Sequence, residues 1–295
     1  MLLYNPIFKT MVHRITLSVL FFLSISLSVY AFQGTGYSLK AGDIIIADSE
    51  SNQEISQLLM GQENVIKTIT STKEMIMVDS YIEGIYTIRL QTLAIRVEVD
   101  AAGMKQVADS EDPGSGGGFL AKLKNTSYSF TMDKNGTILD IIGLESLRDS
   151  LYSGQMANPQ VATQVNQFLG DDVVRYNLLS RFSIYPTSET KSWDLASQFT
   201  LNGMPVNFKS TYTIESAESI TSDGTMTIEG SSVQMGMPVD LNLSGTQNST
   251  YSIDPSNGFL KSAETTSDIS GMVEAQGLQI PMTIFNSAKS TFTKQ

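Results

Sequence analysis

Residues 93–100 read Leu-Ala-Ile-Arg-Val-Glu-Val-Asp and alternate strictly between apolar or small and charged side chains. Because successive side chains of a β-strand point to opposite faces, this stretch predicts a strand with one buried and one solvated face. That pattern is typical of antiparallel sheet. In residues 82–90 the apolar side chains fall on the other parity, so we expect a bulge or bend near Gln91-Thr92.

The same alternation recurs along most of the chain, both before this strand and from Trp193 to the C-terminus. Asn135-Gly136 predicts a tight hairpin, because both residues tolerate the positive φ angles that such turns need. Near Gly61 we favour a long hairpin over a short helix at 53–60. The tetrapeptide Gly-Met-Pro-Val occurs at 203–206 and again at 236–239. It is explained either by repeated turn chemistry or by a duplicated β unit with related halves.

Apolar residues at helical spacing are concentrated in residues 143–183. Asn158-Pro159 has the form of an N-cap followed by proline at the first helical position, and Asp171 is a second candidate cap. The sequence therefore predicts a mainly β fold: a large antiparallel curved sheet or half-open barrel with a short helical insertion at 143–183. We expect residues 32–295 to form a single β-rich domain.

The N-terminus has the three parts of a secretory signal peptide. Basic residues precede an uncharged apolar run over 15–29, and Ala31-Phe32 offers a small-residue cleavage site. We expect cleavage after Ala31, with Met11 as an alternative start. The other interpretation is an uncleaved anchor, but the run is shorter than the roughly 20 residues that span a bilayer. The prediction is an exported protein of the periplasm or extracellular space, without a stable transmembrane span after cleavage.

The composition of the chain limits the kinds of catalytic and metal-binding site that it can form. The chain has no cysteine, and its one histidine, His13, lies in the predicted signal peptide. Histidine- or cysteine-based catalysis and zinc sites are therefore not expected. The net charge is −11 and becomes −13 when Lys9 and Arg14 are removed, which disfavours nucleic-acid binding. We predict no cofactor, no metal and no enzymatic activity.

Two sets of acidic residues offer alternative functions, calcium binding and hydrolysis. The Gly-rich acidic segment 109–118 is predicted to be a flexible loop with no helix after it, and three of its carboxylates, those of Asp109, Glu111 and Asp112, offer a calcium alternative. A carboxylate-based hydrolase is the less favoured functional hypothesis. Its candidate acids are Asp171, Asp172, Glu215, Glu218 and Asp240.

The C-terminal strands are rich in methionine, a flexible side chain that lines adaptable apolar surfaces as well as ordinary cores. We predict a binding protein that holds a hydrophobic or lipid-like ligand on a concave sheet. The alternative is a structural or protein-interaction module of the envelope. The residues predicted to contact the ligand are Trp193, Met204, Phe208, Tyr212 and Met237.

Five short motifs, spread over most of the chain after residue 31, resemble an uncharacterised family of secreted and cell-envelope proteins from Bacteroidota. They are Leu39-Lys40-x-Gly42-Asp43, Met60-Gly61-Gln62, Asn135-Gly136, Ser192-Trp193 and Ser252-Ile253-Asp254-x-x-x-Gly258. The resemblance implies a location in the envelope of a Gram-negative bacterium. It implies no catalytic residue, because the family has no assigned activity.

Overall fold

The fold is taken from a computed structural model. It describes residues 36–59, 61–112, 114, 117–152, 159–183, 185–186, 190–201, 204–216, 218–234 and 237–295. The predicted signal peptide, with its cleavage site at Ala31 and Phe32, lies outside these residues.

The described residues form one antiparallel sheet of 12 strands. Its strands are β1 Ile44–Leu59, β2 Gln62–Ile82, β3 Ile85–Ala101, β4 Met104–Asp109, β5 Ser127–Asp133, β6 Ile138–Ile142, β7 Ser192–Leu201, β8 Met204–Ser216, β9 Ser219–Gln234, β10 Met237–Ile253, β11 Leu260–Ala275 and β12 Leu278–Lys294. The spatial order is β6-β5-β3-β2-β1-β12-β11-β10-β9-β8-β7, and β4 pairs with the end of β3. No pairing between the edge strands β6 and β7 occurs in the described chain, so the sheet is open and the predicted fold class is confirmed.

The centre of the sheet joins the two ends of the described chain. β1 pairs with β12 over 13 positions, from Ile45 opposite Lys294 to Gln57 opposite Met282. The β regions on either side of the helices therefore belong to one continuous sheet. The predicted hairpin near Gly61 is confirmed, since β1 pairs with β2 as far as Leu59 opposite Gln62.

The predicted irregularity in β3 is also confirmed. Lys73 lies opposite Ala94 whereas Glu74 lies opposite Thr92, so Leu93 is the extra residue of a bulge. The bulge moves the buried side chains of β3 from even positions such as Leu90 to odd positions such as Ile95. This shift is the change of parity seen in the sequence.

Helices occupy the predicted insertion. They are α2 Leu144–Tyr152, α3 Pro159–Leu169 and α4 Asp171–Phe182, with α1 Gly118–Leu123 lying before them. Pro159 is the first residue of α3 as expected, while Asn158 lies outside the described residues. Gly170, not Asp171, is the N-cap of α4, and Asp171 lies in its first turn. Among the described residues, no helix has the length and hydropathy needed to cross a membrane.

Helix α1 corrects one expectation. The sequence predicted no helix after the Gly-rich segment, yet α1 begins at Gly118 and buries Leu120 and Leu123. The helix is six residues long, so burial of these two leucines, rather than intrinsic helix propensity, stabilises it.

The Asn135-Gly136 hairpin is confirmed and anchors the helical layer. Gly136 has a φ of +82°, and a Cβ at this position would overlap the carbonyl oxygen of Phe182 at the end of α4. Ser183 Oγ donates to Gly136 O at 2.9 Å, and Tyr37 Oη donates to Phe182 O at 3.2 Å. The end of α4 is thereby held against the sheet.

Candidate functional site

The inner face of the sheet is the candidate site. We define it as the face that carries the buried side chains of Ile55, Ile66, Ile269 and Ile284 and that the helices cover at one end. The opposite, outer face carries cross-strand ion pairs such as Lys67–Glu54 at 2.7 Å. The sheet therefore has one apolar side and one charged side, as the alternation predicted.

Two apolar clusters occupy opposite ends of the inner face. The helix-covered cluster joins inner-face residues such as Ile76, Ile88 and Tyr251 to the helix residues Leu178 and Phe182. The sheet cluster lies at the other end and draws its side chains from the sheet strands. Its members include Val206, Phe208, Leu243, Ile269 and Ile284.

Between these clusters, two cross-strand rows of the inner face carry polar side chains. The first row runs through Thr68, Gln53, Asn286, Ser267, Gln247 and Ser210, and the second through Thr70, Ser51, Thr265, Ser249 and Ser222. We call these eleven residues the polar belt. Each is at most 4% exposed, so the belt is a buried polar layer between two apolar ones.

Part of the polar belt is internally hydrogen-bonded. Ser51 Oγ donates to Asn286 Oδ1 at 3.0 Å, and Thr265 Oγ1 donates to Ser249 Oγ at 3.0 Å. Ser210 Oγ donates to the main-chain oxygen of Asp223 at 3.2 Å. These bonds satisfy five of the eleven belt side chains.

The other six belt side chains have polar atoms without a hydrogen-bond partner among the described residues. Both amide atoms of Gln53 and of Gln247 are in this group, together with the hydroxyls of Thr68, Thr70, Ser222 and Ser267. Buried polar side chains in native proteins are nearly always hydrogen-bonded, either to other protein groups or to ordered water. An unmade bond of this kind costs about 1–3 kcal/mol. These six side chains therefore have hydrogen-bonding capacity that no described residue uses.

A cavity of about 90 Å³ lies where the polar belt meets the helices. Its apolar wall includes Leu90, Ile95, Leu123, Phe168 and Leu178. Its polar wall is formed by Thr70 of the belt together with Thr72, Glu74, Tyr128 and Arg181. The cavity therefore connects the belt to the helix-covered cluster.

An ion pair between a buried arginine and a partly buried glutamate forms one side of this cavity. Arg181, in the last turn of α4, is bonded through Nη1 to Glu74 Oε2 on the inner face of β2. Burial alone would lower the pKa of Arg181, but the adjacent Glu74 carboxylate raises it above its usual range. Burial, followed by the charge of Glu74, also raises the pKa of Tyr128. Arg181 Nε has no acceptor among the described residues.

The structure places three of the five predicted ligand residues on the inner face. Trp193 and Tyr212 stack with ring centroids 5.8 Å apart and an interplanar angle of 11°. Tyr212 continues the second belt row, opposite Ser222, while Phe208 belongs to the sheet cluster. Met204 begins β8 and Met237 begins β10, and their side chains lie outside the described part of the chain. Ligand contact by all five residues stays a prediction.

The acidic alternatives gain no support from geometry. Five carboxylates were offered for a hydrolase, and all are exposed: Asp171, Asp172, Glu215, Glu218 and Asp240. They therefore do not supply the buried acid pair of that hypothesis. In the proposed calcium loop, Asp109 and Glu111 pair with Arg96 and Lys124. The described residues contain no cluster of three potential metal ligands.

Sequence reasoning missed the polar belt. In β1, Gln53 shares the parity of Ile45 and Ile55, and in β10, Gln247 shares the parity of Leu243 and Tyr251. The signal available in the sequence was the presence of polar residues at strand positions where the alternation places buried, apolar side chains. Only the strand register shows that these interruptions lie at the same height in neighbouring strands.

The sequence matches a family model, and the fold resembles that of a solved structure. The model of a family of unknown function, DUF6263, matches residues 83–260, more than half of the chain. The chain belongs to this family. No curated protein matches the sequence.

Among solved structures, this chain is similar to lipovitellin, in a structure that describes lipid–protein interactions in that protein. The TM-score is 0.52 and the sequence identity is 13%. That match covers 88% of this chain and 26% of the lipovitellin chain, so this chain spans about a quarter of that protein's length. An outer membrane channel from Pseudomonas putida F1 gives a TM-score of only 0.23 at 8% identity, covering 90% of this chain and all of the channel.

Proposed function

We propose that this member of the DUF6263 family is an exported, non-enzymatic protein of the cell envelope whose inner face binds a lipid-like ligand. The observation that carries the proposal is the polar belt between two apolar clusters. Such a surface matches an amphipathic molecule, whose apolar parts lie on the clusters while its polar part bonds to the belt. The location in the envelope, and an origin in Bacteroidota, rest on the signal-peptide pattern and the motif resemblance.

The belt favours ligand binding over a purely structural role. A core that served only for stability would gain from apolar side chains at Gln53 and Gln247, because their buried amides have no partner among the described residues. Residues that bind a polar ligand group must instead remain polar, with hydrogen-bonding capacity that no other protein group uses. A bound ligand then supplies the hydrogen bonds.

Binding of a whole lipid requires the inner face to open. Ligand sites for molecules of that size enclose roughly 300–1,000 Å³, whereas the cavity under the helices has about 90 Å³. The helices contact the sheet less extensively than neighbouring strands contact one another. The connections that hold them include Arg181–Glu74 and the bond from Thr200 N to Asp172 Oδ2 at 3.2 Å. Displacement of α4, whose residues Leu178 and Arg181 line the cavity, would enlarge it along the polar belt.

A protein of similar fold has been studied for its contacts with lipid. The lipovitellin structure describes lipid–protein interactions in that protein. The similarity at 13% identity concerns the fold alone, so the ligand class proposed here rests on the chemistry of the inner face.

Lipid analysis of the protein isolated from its native host tests the proposal. The protein is purified without detergent from the envelope fraction and from the soluble periplasmic fraction, extracted with organic solvent, and the extract is analysed by mass spectrometry. We expect a lipid in near-stoichiometric amount. Protein without any extractable lipid, which also fails to bind added lipids, would overturn the proposal.

An envelope interaction module is the second candidate, because apolar side chains are exposed near one edge of the sheet. Leu139 and Ile142 on the edge strand β6 are about half exposed, and Ile82 at the β2–β3 turn is 66% exposed. Exposed apolar groups at a sheet edge favour contact with another protein. Affinity capture from envelope extracts would then recover a specific protein partner, and Leu139→Ser would abolish that capture without affecting lipid binding.

A further inference from the structure

The unsatisfied atoms of the polar belt define what kind of ligand fits. All of them belong to amides or hydroxyls: those of Gln53, Thr68, Thr70, Ser222, Gln247 and Ser267. Such groups donate and accept hydrogen bonds but carry no charge. No charged side chain belongs to the belt. An ionised headgroup placed there would lose its hydration without gaining a counterion, which is strongly unfavourable.

The buried ion pair beside the belt leads to the same conclusion. The charge of Arg181 is already balanced by Glu74, with which it is paired. A second anion would approach the Glu74 carboxylate as well as the guanidinium. Arg181 Nε therefore suits a neutral acceptor, such as a carbonyl or hydroxyl oxygen.

The belt is also extended. It crosses seven adjacent strands, from Thr68 on β2 to Ser210 on β8. At roughly 4.8 Å between strands, this amounts to about 29 Å along the curved sheet. The belt atoms for which no described residue is a hydrogen-bond partner occur on five of those strands, β2, β1, β11, β10 and β9. A ligand that satisfies them needs several hydrogen-bonding groups rather than one compact headgroup.

We propose that the inner face is selective for an uncharged amphiphile whose ester, amide or hydroxyl groups contact the polar belt. Acyl chains of this ligand lie against the helix-covered cluster and the sheet cluster. The inference rests on the proposed function and narrows it, since it excludes free fatty acids and anionic phospholipids as preferred ligands. Neutral acylglycerols and neutral glycolipids share the required chemistry.

Competition binding with ligands of equal chain length tests this selectivity. The full-length protein, processed in its host, is loaded with a fluorescent lipid probe and titrated with monomyristoylglycerol, myristate or tetradecane. Monomyristoylglycerol is neutral and rich in hydrogen-bonding groups, myristate is anionic, and tetradecane is apolar. We expect monomyristoylglycerol to compete at least about tenfold more strongly than either of the others, the factor that one good hydrogen bond supplies.

Variants of the belt show whether its polar atoms cause the selectivity. Gln53→Met and Gln247→Met replace each amide with an apolar side chain of similar length. Both are expected to weaken monomyristoylglycerol binding roughly tenfold while leaving tetradecane binding unchanged. Gln279→Met, at an exposed position of β12, is the matched control and should bind like the unmodified protein. Thr68→Val and Thr70→Val repeat the test if a methionine variant does not fold.

The possible results separate the inference from the proposed function. If all three compounds compete equally, or if myristate competes best, uncharged selectivity is wrong while lipid binding stands. If the belt variants retain the selectivity of the unmodified protein, bound water alone satisfies the belt and the inference is wrong. If none of the compounds displaces the probe and the probe itself does not bind, the proposed function fails.

Discussion

Arg181, at the end of α4, forms a largely buried ion pair with Glu74, on the inner face of β2. The two residues are 107 positions apart in the chain. The pair connects the helical layer to the sheet at the cavity that adjoins the polar belt. It is therefore both a stabilising contact and part of the proposed binding surface.

Glu74→Gln should destabilise the protein strongly. It leaves the buried Arg181 without its counterion. Loss of one partner of a fully buried pair costs about 3–5 kcal/mol of unfolding free energy, and because Glu74 is 22% exposed we expect a loss near the lower end of that range. Chemical denaturation measures the effect. The double variant with Arg181→Met should be more stable than Glu74→Gln alone, because no buried charge remains. The exposed pair Lys289–Glu264 is the control, and Glu264→Gln should leave stability nearly unchanged. Equal losses at the two sites would contradict the assigned role of the buried pair.

Thr68 and Thr265 allow a matched comparison within the polar belt. Both are buried, but Thr265 donates to Ser249, whereas Thr68 Oγ1 lacks a partner among the described residues. Thr265→Val should lower the unfolding free energy by about 1 kcal/mol, since it breaks a bond and strands the Ser249 hydroxyl. Thr68→Val should leave stability unchanged or raise it. Destabilisation of similar size in both variants, measured without ligand, would show that Thr68 is already satisfied.

The effects of alanine substitutions at Gly136 and Gly84 on stability distinguish backbone strain from steric overlap. Both have positive φ angles, +82° and +85°, but a Cβ meets the Phe182 carbonyl only at Gly136. Gly84→Ala should cost about 1 kcal/mol from the left-handed conformation alone. Gly136→Ala should cost clearly more, because the hairpin must move away from α4. Thermal unfolding compares the two, and equal effects would argue against close packing of the hairpin on the helix.

Asp43 should contribute to stability in a pH-dependent way. Burial opposes its ionisation, but Lys294, at 2.8 Å, and the main-chain N–H of Lys40 lower its pKa below the ordinary 3.8. The contribution is fully present above the unfolded-state pKa and is lost as pH falls through the lower folded-state pKa. In Asp43→Asn this part of the acid sensitivity should disappear. Unfolding measured between about pH 2 and pH 7 tests it, and identical pH profiles for the two proteins would refute it.

The features that the sequence predicted correctly are those set by residues close to one another in the chain. Alternation over 93–100 gave β3, the change of parity located its bulge, and Asn135-Gly136 located a hairpin. Helix α1 was missed because its six residues follow a glycine run and are stabilised by packing of Leu120 and Leu123.

The candidate site was less accessible to sequence reasoning. Trp193 and Tyr212 were predicted to contact a ligand, and that contact stays a prediction. The belt itself requires the register that aligns Gln53 with Asn286 and Gln247 with Ser267. Polar residues in a strand are ordinarily assigned to the solvent face, so buried ones escape a pattern-based prediction. The Glu74–Arg181 pair forms only when the helices pack on the sheet, so no local sequence pattern predicts it.

Photo-crosslinking tests the central claim most directly. A monoacylglycerol that carries a diazirine beside its ester is bound to the full-length protein and irradiated, and the modified peptides are mapped by mass spectrometry. The proposed site predicts adducts on inner-face residues of β1 and β10, around Ser51, Gln53 and Gln247. Adducts confined to outer-face neighbours such as Glu54 and Asn248, or spread evenly over the surface, would contradict ligand binding at the polar belt.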